Sequence, residues 1–253
     1  MRVNNILTRE VPGGASLQNR HVFEYLETLS LLDHYDLDNR QDLKTLSKDF
    51  NEYANTNCKL DEFLQAAKFY QKIANRPRFS FFRRPIFNTY PYKTININQL
   101  FEIIVEPKYY GTTTDTYRDL NSKGKAKDYK SKNFDYVTFS GYFSKRHSSN
   151  LLEESGLLVI DIDKLEDVES VKTSLLNDKN IPTEMLFVSP GGNGLKWVIK
   201  SHPDKYEHEL FFNGVSTYLK RTHGIEADQS GKDVSRACFV CHDPDVFINP
   251  KYL

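Results

Sequence analysis

The run Leu157-Leu158-Val159-Ile160-Asp161-Ile162-Asp163 constrains this chain more than any other segment. Leu157 to Ile162 has the length and branched-chain content of a buried strand. A strand turns alternate side chains to opposite faces, so Ile160 and Ile162 should enter a core while Asp161 and Asp163 project together. Two adjacent carboxylates repel each other unless a proton or a cation lies between them. A divalent ion with oxygen ligands, Mg²⁺ or Mn²⁺, is the usual resident of such a pair. The plain alternative is a solvated acidic pair in which Asp163 caps the next helix.

Strands and helices alternate after Gly156. A helix with Val168, Val171 and Leu175 on one face follows the acidic run, then a strand from Met185 to Val188. A glycine-rich turn leads into a second strand, Leu195 to Ile199. A helix from about Lys205 to Arg221 precedes Gly224, and a last strand spans Ala237 to Val240. The turn between Met185 and Ile199 is too short for a crossover helix, which excludes a purely parallel sheet. An α+β fold with a mixed sheet is expected.

Upstream, Tyr136 to Ser140 reads as a strand that Gly141 ends or bulges, and Asn98 to Val105 as a helix. The polar segment Gly111 to Lys132 reads as a surface loop. Apolar stripes over His21–Leu32, Asp42–Tyr53 and Leu60–Ala74 predict three helices in the first third. Pro77, Pro85 and Pro91 exclude continuous helix between Asn75 and Tyr92. Short strands or an extended linker are expected there, with a boundary near residue 90. A helical accessory region (1–90) would thus precede a second domain (91–253).

Charged residues make up 27% of the 253, yet the formal net charge is zero, so any polyanion-binding surface must be local. Two clusters are candidates. Lys123, Lys125, Lys127, Lys130, Lys132, Lys145 and Arg146 face only Asp128 and Asp135 in their stretch. Arg76, Arg78, Arg83 and Arg84 are interleaved with Phe79, Phe81 and Phe82. Cations mixed with aromatics suit single-stranded nucleic acid, whereas the simpler reading is a solvated lysine-rich loop and an aromatic core segment. No apolar stretch is long enough to span a bilayer, and the N-terminus lacks the apolar core of a secretory signal. With three cysteines a disulfide scaffold is not expected, and a cytoplasmic setting is. Cys238-Phe239-Val240-Cys241-His242 matches a haem-attachment pattern, but it also reads as an apolar strand running into a loop. A zinc site there would need a fourth ligand.

Two further segments carry polar chemistry. Ser189-Pro190-Gly191-Gly192-Asn193-Gly194-Leu195-Lys196 joins two strands and can lay backbone N–H groups against an anion, with Ser189 and Lys196 adding a hydroxyl and a charge. An ordinary hairpin needs only the glycines. It is not a Walker A loop, since no helix follows it. Asp228, after Gly224-Ile225-Glu226-Ala227, would bring a third carboxylate, and Arg236 would grip phosphate oxygens in pairs. The plain alternatives are that Asp228 caps a helix, that Asp233 is the acid, and that Arg236 pairs with a surface carboxylate, and the metal logic favours Asp228.

This ordered set resembles the archaeo-eukaryotic primase superfamily, in particular the primase-polymerase domains of the virulence-protein-E N-terminal and CRISPR-associated type. The resemblance rests on Val137 to Phe143, Ser155 to Asp163, Ser189 to Lys196, and Ser235 to Phe239 continuing through Asp243-Pro244 and Asn249-Pro250. It spans about residues 93–253 and leaves the helical first third uncovered. It implies a primase-polymerase catalytic core with a modified RRM-like sheet, which joins nucleotides on a single-stranded DNA template or primer-template. In those terms Asp161, Asp163 and Asp228 would hold Mg²⁺ or Mn²⁺, while Ser189, Gly192, Asn193, Gly194, Lys196 and Arg236 would bind a nucleoside triphosphate. A helicase, or a CRISPR or mobile-element partner, would act in trans. One departure matters: the superfamily's second motif often carries histidine where this chain has Lys196, which cannot shuttle protons near neutrality without a large pKa shift. Two other classes remain open at this level. One is a non-catalytic single-strand-binding accessory module of a mobile element or defence system. The other is a metal-dependent nuclease.

Overall fold

A computed structural model describes residues 40–54, 57–74, 76–126 and 128–253. The helix expected over His21–Leu32 lies outside them. The chain divides into two units, residues 1–76 and 77–253. The division falls before the boundary expected near residue 90, because the segment after Pro77 is a sheet strand and no linker.

In the first unit, α1 (Arg40–Ala54) and α2 (Leu60–Ala74) form from the two one-sided stripes. Leu46 and Phe50 of α1 are buried, as are Phe63, Ala66 and Ala67 of α2. The Phe50 and Phe63 rings lie 5.4 Å apart. Asn51 closes the turn between the helices by accepting from the Cys58 amide (2.7 Å) and donating to its carbonyl (3.0 Å).

The second unit is α+β. β1 (Arg78–Phe82), β2 (Lys93–Asn96), β3 (Tyr136–Thr138) and β9 (Cys238–Phe239) form one sheet in the order β2-β1-β3-β9. β6 (Leu157–Ile162), β7 (Thr183–Val188), β8 (Leu195–Lys200) and β10 (Phe247–Ile248) form another, ordered β10-β7-β8-β6. β4 (Gly141–Phe143) and β5 (Leu151–Glu154) make a separate hairpin. Every ladder among the described residues is antiparallel, which corrects the expected mixed sheet. β6 and β7 run the same way, but β8 lies between them and keeps them from becoming parallel neighbours.

Strict alternation along β6 serves two cores. Leu158, Ile160 and Ile162 join Leu186, Trp197 and Ile199 beneath α6 (Val168–Leu176) and α7 (His208–His223). Leu157 and Val159 face the other way, with Met185, Phe187 and Val198, into a core shared with the first sheet and with α3 (Ile97–Val105). Burying one such side chain contributes roughly 1.5–3 kcal/mol, so a one-residue slip of β6 would be prohibitive. α3 starts at a capping box in which Asn96 and Gln99 each accept the other's amide, both at 3.0 Å.

The segment expected to be a surface loop is largely helical: α4 spans Pro107–Ser122 and α5 spans Tyr129–Asn133. Pro107 sits in the first turn of α4, where it lacks no needed hydrogen bond. The buried stripe of α4 is Tyr110, Gly111 and Thr114, too short and too polar to register as hydrophobic periodicity. Tertiary bonds hold it instead. Tyr110 donates to the buried Asp135 carboxylate (2.7 Å), and Thr114 accepts from the His242 amide (3.0 Å). Phe79, Phe81 and Phe82 are all buried, so the aromatics between the arginines of that cluster are core and are not stacking surfaces. All three cysteines are buried and free, and Cys241 donates to the Val188 carbonyl (3.2 Å). No helix among the described residues is long and apolar enough to cross a membrane.

The C-terminal ends of α6 and α7 are tied by one polar knot. His223 bridges Asp178 Oδ2 (2.8 Å) and Ser174 Oγ (2.9 Å), and Tyr218 also donates to Asp178 (2.8 Å). Burial alone would raise the Asp178 pKa, but His223, the Ile181 and Asn180 amides and Tyr218 outweigh it and hold it below its ordinary value. A carboxylate lowered on folding stabilises the fold fully above its unfolded pKa, about 3.9, and loses that contribution as pH falls through the folded value. Acid unfolding should therefore begin to involve this knot below about pH 4. Asp178→Ala is expected to cost about 3 kcal/mol by chemical denaturation at neutral pH and to flatten the acid limb. An acid limb identical to that of the unsubstituted protein would refute the assignment.

Candidate metal and phosphate centre

The candidate centre lies where the β6–β8 ladder reaches the edge of the core. On the face that carries Leu157 and Val159, the next residue is Asp161, whose side chain is only 14% exposed. The ladder pairs Asp161 with Lys196, and the buried Lys196 amine contacts Asp161 Oδ2. Burial alone would lower the lysine pKa, but the carboxylates of Asp161 and Asp163 help to hold it above its ordinary value. Cys238 of β9 lies close to this pair, and burial pushes its thiol up to about 12.

A single backbone bond brings the third acid to the first two. β6 is an edge strand, and its Asp161 carbonyl accepts the Asp228 amide at 2.8 Å. Gly224 makes this approach possible by ending α7 in the left-handed region, φ 69°, from which the chain turns back toward β6. Asp228 also caps the short 3₁₀ turn Gln229–Lys232, accepting from the Ser230 amide (3.0 Å) and hydroxyl (2.6 Å). The cap and the ligand readings of Asp228 are therefore compatible. Burial would raise its pKa, yet Ser230, Arg236 and Lys196 hold it below the usual range. Asp161, Asp163 and Asp228 each offer a carboxylate oxygen, and the three oxygens lie within 4.8 Å of one another. Asp233 is elsewhere, bonded to the amide and hydroxyl of Ser235.

Arg236 Nη2 lies 3.0 Å from Asp228 Oδ2 and 4.0 Å from Asp161 Oδ2, between the two acids. Two polar atoms remain buried without a hydrogen-bond partner here, Asp161 Oδ1 and Arg236 Nε. An orphaned carboxylate oxygen beside two further acids is what a hard divalent cation would satisfy, and an all-oxygen donor set fits Mg²⁺ or Mn²⁺. Groups of exposed acids also occur without any ion, so the orphaned oxygen is the more pointed observation.

The 189–194 turn stands against this cluster and is more committed than its glycines suggest. The Ser189 amide donates to the Gly194 carbonyl (2.8 Å) and the Gly192 amide to the Ser189 carbonyl (3.0 Å), so neither is turned outward to an anion. Ser189 is buried, while Asn193 is exposed and accepts the Leu165 amide through its carbonyl (2.9 Å). Gly194 is required by close approach: a Cβ there would lie 2.5 Å from the Ile162 carbonyl and 3.2 Å from Asp163 Oδ1. Gly192 has φ 82°, a conformation that favours glycine.

One residue of the centre carries no local signal in the sequence. Arg118 of α4 lies over the turn, donating through Nε to the Pro190 carbonyl (3.3 Å). Its neighbour Tyr117 is raised in pKa by burial and by the charge of Asp163. Both belong to the segment that reads as a loop, and only packing places them here. The centre thus gathers Asp161, Asp163, Asp228, Lys196 and Arg236 from the expected set, adds Arg118, and leaves Ser189, Gly192, Asn193 and Gly194 as the wall that shapes it.

A family model described as BT4734-like, N-terminal domain, matches residues 128–247. That stretch runs from α5 to the start of β10 and contains all three acids, Lys196 and Arg236, but not Arg118. No curated protein and no solved structure matches the chain.

Proposed function

We propose that the second unit is a metal-dependent nucleotidyltransferase, a primase-polymerase that adds nucleotides to a strand paired with a single-stranded template. The observation that carries this reading is the convergence of three carboxylates, one with an orphaned buried oxygen, beside the cationic side chains of Lys196 and Arg236. Asp161, Asp163 and Asp228 would hold Mg²⁺ or Mn²⁺, which would supply activation of a 3′-hydroxyl and charge stabilisation for a leaving pyrophosphate. Arg236 sits between two of these acids and would exchange that pairing for triphosphate oxygens, which a guanidinium binds two at a time. Lys196 supplies a fixed positive charge and no proton shuttle, since its amine is held protonated. Arg118 lies over the turn and would meet the outer phosphates.

The experiment is primer extension and de novo synthesis on a single-stranded template with nucleoside triphosphates and Mn²⁺. Lengthened products support the reading. Shortening of end-labelled DNA without nucleotides would identify a nuclease instead. Arg236→Ala should raise the KM for nucleotide roughly tenfold, about 1.4 kcal/mol, with a smaller change in kcat if it acts mainly in binding. An unchanged KM would remove Arg236 from the phosphate site.

One observation favours a second reading. Lys196 and Arg236 already neutralise Asp161 and Asp228 without any metal, as a retired site in a single-strand-binding module would. Metal-dependent nucleotide binding in a calorimetric titration would decide against that module.

A further inference from the structure

The aromatics between the arginines of the 76–84 cluster are buried, but the next segment turns a different set outward. Phe87 is 75% exposed, Tyr90 64% and Tyr92 60%, three large rings within six residues. A lone exposed ring is ordinary, whereas a cluster of this kind marks a contact surface.

The segment that carries them is held firmly. Asp135, itself buried, accepts from the Arg84 amide (2.8 Å) and from the Arg83 guanidinium (3.0 Å). The Ile86 amide donates to Ser131 (2.7 Å), the Tyr92 amide to Phe81 (2.8 Å), and the Arg146 amide to Thr89 (2.8 Å). The Tyr136 hydroxyl donates to the Asn88 carbonyl (2.6 Å). Rings presented on so many fixed points lose little conformational freedom when a ligand arrives.

The charges carried by the two segments have one sign, with the buried Asp135 paired to Arg83 beneath them. Residues 83–93 and 144–150 contain Arg83, Arg84, Lys93, Lys145 and Arg146 and no aspartate or glutamate. The Arg83 guanidinium lies 4.7 Å from the Tyr92 ring centre, and the Lys145 amine 5.5 Å from that of Tyr90. More aromatic and cationic side chains lie on the sheet beside the patch. Phe82, Tyr136 and Phe239 stand in register across β1, β3 and β9, with Arg146 over Tyr136 (5.1 Å) and Lys130 over Phe239 (5.3 Å). β9 is the edge strand, about two strand spacings, or roughly 10 Å, from β1, and its Cys238, which borders Lys196 and Asp161, turns to the face opposite Phe239.

We infer that Phe87, Tyr90 and Tyr92, with Arg83, Arg84, Lys93 and Lys145, form a binding surface for single-stranded nucleic acid. Bases stack on the rings and phosphates meet the cations, which is why the partner is a strand with unstacked bases and not a duplex or a simple polyanion. Only the description of this strand as a template rests on the nucleotidyltransferase reading.

The test is fluorescence anisotropy of labelled oligothymidylate and oligouridylate with the full chain, in EDTA, so that catalysis and metal play no part. Phe87→Ala, Tyr90→Ala and Tyr92→Ala should each weaken binding roughly fivefold or more, by the usual worth of one base–aromatic stack. Tyr90→Phe and Tyr92→Phe should bind normally, which separates stacking from misfolding. Lys93→Glu with Lys145→Glu should flatten the salt dependence. Because the assay contains EDTA and no nucleoside triphosphate, failure of the polymerase reading leaves this result intact. The inference is overturned if the triple alanine variant binds within twofold of the unsubstituted chain. It is equally overturned if duplex DNA or polyphosphate competes as well as the single strand.

Discussion

Asp163→Ala is expected to reduce metal-dependent nucleotide addition by roughly 1000-fold, about 4 kcal/mol of transition-state stabilisation, with little effect on the melting temperature. Asp163 is exposed just beyond the end of β6, so its removal leaves the ladder and both cores untouched. Its carboxylate nevertheless belongs to the three that converge within 4.8 Å, and its Oδ1 lies against the 189–194 turn beside Gly194. Asp161→Asn should give a comparable loss while retaining the shape of the side chain. Asp161→Ala is the poorer choice, because it strands the buried Lys196 amine and mixes folding with catalysis. Extension assays on a single-stranded template, with circular dichroism as the folding control, measure both quantities. Full synthesis by a folded Asp163→Ala protein would remove the acids from the reaction.

Lys196→Ala carries the largest expected stability effect. It removes the partner of a carboxylate that is 14% exposed and whose other oxygen is already unsatisfied. Leaving one member of a buried pair alone typically costs 3–5 kcal/mol, so a loss of about that size is expected in urea. The informative arm is the rescue. If the three acids hold a divalent cation, Mn²⁺ should recover part of the lost stability, since a ligand that binds only the folded state stabilises it in proportion to the logarithm of one plus its concentration over its Kd. The Mn²⁺-induced rise in melting temperature should be greater for Lys196→Ala than for the unsubstituted chain, where lysine already neutralises Asp161. Equal shifts in the two proteins would mean that the acids do not act together on a metal, and would favour the metal-free module.

The elements between Gly156 and Gly224 are those most visible in the residues themselves. Leu157 to Ile162 is a strand over its expected length, and the segments around Val168–Leu175, Met185–Val188 and Leu195–Ile199 form the helix and strands that their patterns predict. Each is long enough and regular enough for side-chain period to decide it. The segment Gly111 to Lys132 misleads for the opposite reason. Its threonines and lysines show no period, and α4 exists because Tyr110 reaches Asp135 and Thr114 reaches the His242 amide. The hairpin of β4 and β5 and the two-residue β10 are similarly faint, being short strands that pairing alone defines.

The chain's local pattern determines that two carboxylates emerge together at the end of an apolar strand, and that a tight turn returns a lysine to the neighbouring strand. Those are matters of period and turn length, felt within a few residues. Tertiary structure alone decides that Asp228 joins them through its amide on Asp161, that Arg118 covers the turn, and that Phe79, Phe81 and Phe82 face inward while Phe87, Tyr90 and Tyr92 face water. Such outcomes depend on which distant surface each segment meets, and free energies of burial and of unsatisfied polar groups are settled only when those surfaces close.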